Sequence, residues 1–233
     1  MFSFKRFSIL LVTAVIIIST ATAQQKKEMT PEESYLQESI EMMIIRETAR
    51  SYSAGQKLIA LEYIGEALNR GSTNDEIRQT LEFLSREGIK STARENGRVV
   101  NNFTYIRRQS AKYLGQIGTE EARKALIGVI NEENEPWVLQ EIIKSLGDIG
   151  LNPNNETVSK IQWVINRYIH TDKPDNVMAL AAIDAFDKIA KKNNGISDPE
   201  TIRTLMSISD GIFITAVRER AKQLLAELRS YGK

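Results

Sequence analysis

The feature that most restricts the fold of this chain is a thirteen-residue pattern that occurs twice. Ile106–Gly118 reads IRRQSAKYLGQIG, and Val138–Gly150, 32 residues further on, reads VLQEIIKSLGDIG. Counted from the first residue, the periodic positions fall at offsets 0, +4, +8 and +11, which are Val138, Ile142, Leu146 and Ile149 in the second of these copies. That spacing lines one stripe of an α-helix, whereas a strand would need alternate residues. Two later segments keep the same offsets: Met178, Ala182, Phe186 and Ile189, then Val217, Ala221, Leu225 and Leu228. A weaker copy fits upstream as Gln56, Ala60, Ile64 and Ala67. Repetition at intervals of tens of residues is the signature of helical hairpins stacked so that neighbours share one core. The expected fold is therefore all-α, an α-solenoid of stacked helical hairpins.

The two clear copies resemble the first helix of HEAT-like repeats of the phycobilisome-lyase type. In that pattern an apolar residue is followed by Arg and the helix ends in Leu-Gly-x-Ile-Gly. Arg107 and Arg218 fit the pattern, while Leu139 and Ala179 depart from it. The glycine pair is present as Gly115 with Gly118 and as Gly147 with Gly150, but later copies have Asp187 with Ala190 and Ala226 with Arg229. The resemblance implies a HEAT/armadillo-like superhelix and a binding role. It implies no catalytic residue, because the same repeat serves scaffolds, adaptors and some enzymes.

The N-terminus has the plan of a secretory signal. Lys5 and Arg6 form a basic start, Phe7 to Ile18 an apolar run, and Ser19 to Ala23 a small-residue exit with Ala21 and Ala23 spaced as A-x-A. The run is shorter than the roughly 20 residues a bilayer span needs, so cleavage after Ala23 is expected, with no stable membrane span afterwards. Residues 1–23 are then a cleaved signal peptide, 24–29 a flexible leader and 30–233 the solenoid domain. Such a chain is expected in the bacterial periplasm or outside the cell. Its lack of Cys means the exported domain must rest on its core, which stacked helices can supply.

Charge narrows the partners. With 31 Lys+Arg against 30 Asp+Glu, the chain lacks the basic excess that phosphate neutralisation demands, and nucleic acid is not an expected ligand. A single His, His170, and no Cys leave few parts for a zinc site or for a Cys-His or Ser-His-Asp nucleophile. Asp172, Asp175 and Asn176 lack the Gly and distal Glu of a calcium loop. No metal site, cofactor or catalytic residue is assigned.

Two features point instead to another protein as partner. Ile89 to Phe103 has no helical periodicity and reads as a loop insertion at about 89–103. The insertion and the helix start after it carry Arg94, Arg98, Arg107 and Arg108. Those cations suit an acidic partner, or they belong to a solvated insertion in which Arg107 bonds a neighbouring loop. Tyr105 and Trp137 each stand one residue before the first apolar position of their copies. They serve either as staples at the helix starts or as anchors in a partner groove. Gly115 and Gly147 sit inside helices, where Gly costs about 1 kcal/mol relative to Ala, and close approach of neighbouring helices would explain both. These features lead us to expect a non-enzymatic, exported scaffold or adaptor. The alternative is a lyase-type or small-molecule-handling protein.

Overall fold

The computed structural model describes residues 30–90, 92–169 and 171–231. Ala23 and the whole expected signal segment, as well as His170, lie outside them. The chain divides into two compact units, Met1–Ile40 and Glu41–Lys233. Ten α-helices are present among the described residues: α1 (Pro31–Arg50), α2 (Ala54–Asn69), α3 (Asp75–Leu84), α4 (Thr104–Ile117), α5 (Glu120–Ile130), α6 (Pro136–Ile149), α7 (Glu156–Ile169), α8 (Asn176–Asn193), α9 (Pro199–Asp210) and α10 (Thr215–Tyr231).

The first unit contributes the start of α1. Thr30 and Glu33 close a reciprocal capping box there, each side chain accepting from the other residue's backbone N–H at 3.2 and 3.0 Å. The periodicity of Leu36, Ile40, Met43 and Ile44 suggests a buried stripe, but Leu36, Ile40 and Met43 are exposed. Burial in this helix instead falls on Met42, Ile45 and Ala49, all in its second half.

In the second unit, α2, α4, α6, α8 and α10 pack side by side as one layer, and α3, α5, α7 and α9 form the other. These are the alternating helices of successive hairpins, as the repeat requires. The expected stripes of α4, α6 and α8 are buried throughout, from Ile106 to Ile189. Copy five keeps Val217, Ala221 and Leu228 inside while Leu225 is half-buried, and in copy one the exposed Gln56 yields its place to Lys57. In α9 Leu205 and Ile208 are buried while Met206 is exposed. One continuous core runs from Met42 to Leu228.

Glycine explains how closely the first layer packs. A Cβ built on Gly115 would lie 2.7 Å from Ser145 Cβ, and one on Gly147 would lie 2.7 Å from Ala185 Cα. At offset +9, then, each helix leaves room for offset +7 of the next copy. Gly118 and Gly150 end α4 and α6 at φ 73° and 67°, the left-handed cap that Gly adopts without steric cost.

Polar ties join the second layer. Arg123, buried on α5, is bound by Glu120 at 2.7 Å and reaches α7 through Glu156 at 2.8 Å and Thr157 Oγ1 at 3.2 Å. Hydrogen bonding to Glu120, reinforced by Glu156, outweighs burial and raises the guanidinium's pKa. One repeat on, Gln162 Nε2 donates to Asp198, which caps α9, and to Thr201 within it, both at 2.7 Å.

The stretch expected to be an irregular loop is a β-hairpin. β1 (Arg94–Glu95) pairs antiparallel with β2 (Arg98–Val99) around Asn96 and Gly97, whose φ values of 49° and 79° are both positive. A type I′ turn needs two such residues, and Asn-Gly supplies them.

Candidate functional site

Arg107 does not belong to a surface set. It lies at offset +1 on α4, is 1 % exposed, and its Nε donates to Glu133 Oε2 at 2.7 Å. Its Nη1 donates to the Glu87 carbonyl at 3.0 Å and to Asn102 Oδ1 at 2.8 Å. A guanidinium so fully engaged offers nothing to an outside partner, so its role is to bond the neighbouring turns.

Lys57 occupies the same offset in copy one. Its ammonium is 3.0 Å from Glu87 Oε2, donates to the Ala49 carbonyl at 2.8 Å and lies 5.2 Å from the centre of the Phe83 ring. Glu87 Oε1 accepts from Asn101 Nδ2 at 2.9 Å, and Asn101 Oδ1 accepts from Ala93 N–H at 2.8 Å. These buried groups therefore link α2, the end of α3, the base of the hairpin and α4. Burying an ion is tolerable only when its partners are supplied, and here they are. Sequence reasoning misses the network, although Lys57 aligned with Arg107 is a signal for it. In copy three the same offset holds Leu139, fully buried.

Two open grooves flank Phe83 above this network. One, of about 240 Å³, is lined by Arg46, Ala49, Arg50, Glu76, Gln79, Thr80 and Phe83. The other, of about 260 Å³, is lined by Gln79, Glu82, Phe83, Arg86, Glu87 and Lys90. An exposed aromatic ring between polar walls of both signs suits a ligand with a flat apolar part and charged substituents. Among the described residues no cluster of three His, Asp or Glu side chains is placed to hold a metal.

The remaining expected site residues lie elsewhere. Tyr105 on α4 and Trp137 on α6 are 61 % and 64 % exposed. Neither is tucked away as a staple. Arg108 stacks over the Trp137 ring at 5.9 Å and pairs with Glu141 at 3.1 Å, bringing these two together at the α4–α6 boundary. Arg94 and Arg98 project on the hairpin, where Arg94 Nη1 donates to the Gly97 carbonyl at 3.0 Å.

A second aromatic–cation cluster, not foreseen from the sequence, decorates α7. Trp163 is 46 % exposed, with Arg167 at 4.2 Å and Lys160 at 5.7 Å from its ring centre. Burial raises the pKa of Tyr168; Arg167 opposes the rise, while Asp175, Glu133 and Glu135 add to it.

With its hairpins stacked in register, the second unit defines its class: a HEAT-like α-solenoid. Residues 99–187 match the family model described as HEAT repeats, spanning α4 to the middle of α8. Among solved structures, the chain is similar to the complex of CpcE and CpcF of phycocyanin lyase from Nostoc sp. PCC7120. The likeness has a TM-score of 0.55 at 14 % identity and covers 90 % of this chain and 70 % of that one. No curated protein matches significantly.

The comparison corrects one expectation. Missing nucleophiles and metal ligands suggest a chain that is not an enzyme. Yet the architecture it adopts is also found in a complex of phycocyanin lyase, so a helical solenoid without such a constellation cannot be set down as non-enzymatic. Among the described residues no helix is long and apolar enough to cross a membrane.

Proposed function

We propose that this chain is a lyase-type or small-molecule-handling HEAT-repeat protein that works with another protein, and that it does so after export. The observation that carries the reading is the likeness over 90 % of the chain to a two-component phycocyanin lyase complex. Local support comes from the grooves at Phe83, where a ring 47 % exposed stands over a buried ion pair. Exposed Tyr105 and Trp137, with Arg108, Arg94 and Arg98 nearby in sequence, are the surface we assign to protein contact. Aromatic and Arg side chains are the usual anchors of such surfaces. The basic-apolar-small order of residues 1–23 supports export.

Native mass spectrometry of the full chain purified from its own cells tests the first part. A small molecule of defined mass that wild type holds and Phe83→Ala releases is the expected result. Wild type that carries none, and that leaves the adduct mass of every co-purifying protein unchanged on incubation, would overturn it. Cell fractionation with N-terminal sequencing tests export, which predicts a mature chain beginning at Gln24.

A further inference from the structure

We propose that Asn96, at the tip of the β1–β2 hairpin, is a site of spontaneous deamidation, and that the fold protects Asn194, which has the same chemistry. The chain has two Asn-Gly steps, Asn96-Gly97 and Asn194-Gly195. An Asn side chain carries its amide carbon where the next backbone nitrogen can close a five-membered ring on it. Glycine has no Cβ to shield that nitrogen, so Asn-Gly is the step most open to the attack. The Gly97 nitrogen loses its proton and forms a bond to Asn96 Cγ, while the bond from Cγ to the side-chain nitrogen breaks and ammonia leaves. Water then opens the ring at one carbonyl or the other and leaves an aspartate or an isoaspartate at position 96. One water enters, one ammonia departs, and nothing is oxidised or reduced.

The two steps are alike in sequence and unlike in structure. Both asparagines are exposed and turned to positive φ, 49° at Asn96 and 54° at Asn194. So turned, the backbone carries the following nitrogen away from Cγ, and each turn must open before the ring can close. For Asn96 the opening costs little. Its strands are two residues each, and a hairpin that short is marginal by itself. One side-chain hydrogen bond crosses the turn, from Arg94 Nη1 to the Gly97 carbonyl at 3.0 Å, and it leaves the Gly97 nitrogen free. That N–H has no hydrogen-bond partner among the described residues, and a Cβ built on Gly97 would meet nothing within 4 Å. Asn194, by contrast, is the left-handed cap of α8, and the Gly195 N–H donates to the Ala190 carbonyl at 2.8 Å. The nitrogen that would attack is therefore already engaged. Asn193 Nδ2 donates to the Ile189 carbonyl at 2.6 Å and to the Gly150 carbonyl at 2.8 Å, and a Cβ on Gly195 would lie 2.9 Å from Tyr231 Cβ. Opening this turn means unwinding the end of α8 and parting it from its neighbours, a local unfolding that the hairpin tip does not require.

The new carboxylate alters what the hairpin presents. Arg94 and Arg98 against Glu95 make a net +1, which the added negative charge brings to zero. The isoaspartate form also puts an extra carbon into the main chain of a two-residue turn whose geometry is fixed by Asn-Gly. On the reading of Arg94 and Arg98 as contact residues, ageing of this turn weakens the contact; the modification itself does not depend on that reading.

Mass spectrometry on the full chain, incubated at physiological temperature in water enriched in heavy oxygen and digested afterwards in ordinary water at mildly acidic pH, tests the proposal. The peptide that holds residue 96 is expected to gain mass with heavy oxygen incorporated and to separate into two chromatographic forms. Its rate should rise with pH, because the attacking nitrogen must give up its proton. The peptide that holds residue 194 should change at least about tenfold more slowly, the ratio that about 1.4 kcal/mol in the cost of opening produces. In urea the two rates should converge, since the unfolded chain no longer tells the steps apart. The proposal is overturned by a folded chain in which residue 96 keeps its amide over the time that the urea-unfolded chain loses both. It is equally overturned by a folded chain in which residue 194 changes as fast as residue 96.

Discussion

Gly147→Ala tests how the layers of this solenoid are held together. In an isolated helix the change would help, by about 1 kcal/mol, because Ala has the higher helix propensity. Here the new methyl would stand 2.7 Å from Ala185 Cα and 2.9 Å from its Cβ. Carbon atoms at rest are about 3.5–4.0 Å apart, so α6 and α8 must separate by several tenths of an ångström to a full ångström. The atom in the way is backbone, so no rotamer change relieves the clash. Overpacking of this kind costs about 1–3 kcal/mol, and the upper part of that range applies where the backbone must move. After the propensity gain, a net loss of about 1–2 kcal/mol remains. For a chain of this length that is a fall in Tm of roughly 2–8 °C. Thermal and urea denaturation followed by circular dichroism measure it, with Gly55→Ala as the control, because a Cβ there meets only Ser53 Oγ at 3.6 Å. If Gly147→Ala proves as stable as Gly55→Ala, the close approach of α6 and α8 is not what keeps glycine at this position, and the packing argument fails. A complementary pair is Gly115→Ala alone and with Ser145→Gly. The second change removes the side-chain atoms at 2.7 and 2.8 Å but leaves Ser145 Cα at 2.9 Å, so part of the lost stability should return.

Three other perturbations report on polar and backbone features. Arg107→Met leaves Glu133 buried without its cation and should cost about 3–5 kcal/mol in urea denaturation; a loss below about 1 kcal/mol would show the pair to be dispensable. Burial pushes the Asp187 carboxyl up, but hydrogen bonds from Lys191 and Arg220 outweigh it and hold the pKa below the ordinary aspartate value. Because the folded value is depressed, its stabilisation is present above the unfolded pKa and is lost as pH falls through the folded one. Asp187→Asn should therefore lower stability at neutral pH and shallow its decline in acid, and parallel pH–stability curves for the two proteins would contradict this. Gly88→Ala places a Cβ 2.3 Å from the Asn101 carbonyl oxygen at a residue with φ +74°. It should displace the hairpin base and speed limited proteolysis within 89–103, with unchanged cleavage as the refuting result.

Much of the fold was legible because an amphipathic helix writes its period into the chain. From Ile106 to Ile189 the stripe read at offsets 0, +4, +8 and +11 is the stripe that is buried. Caps were legible where the chemistry is local: Thr119, a residue type suited to capping and followed by Glu120 and Glu121, accepts from Ala122 N–H. In α3 the competition between neighbours went the other way. Thr73 with Glu76 suggests a capping box, whereas Asn74 is the cap and accepts from Ile77 N–H at 2.8 Å. The hairpin was signalled by Asn96-Gly97 between Arg94 and Val99, but two-residue strands are too short to show an alternating pattern.

By itself, then, the sequence determined the helical class, the number of clear repeats and the buried face of the best-formed helices, because each depends on residues a few positions apart. Tertiary structure alone decided what became of the charges and the aromatics. Arg107 and Arg108 are adjacent in the chain, yet one is sealed under Glu133 while the other stacks on Trp137 at the surface. Lys57 finds Glu87 thirty residues away. Successive residues of a helix point about 100° apart, and only the next repeat, laid alongside, determines which direction is solvent and which is core.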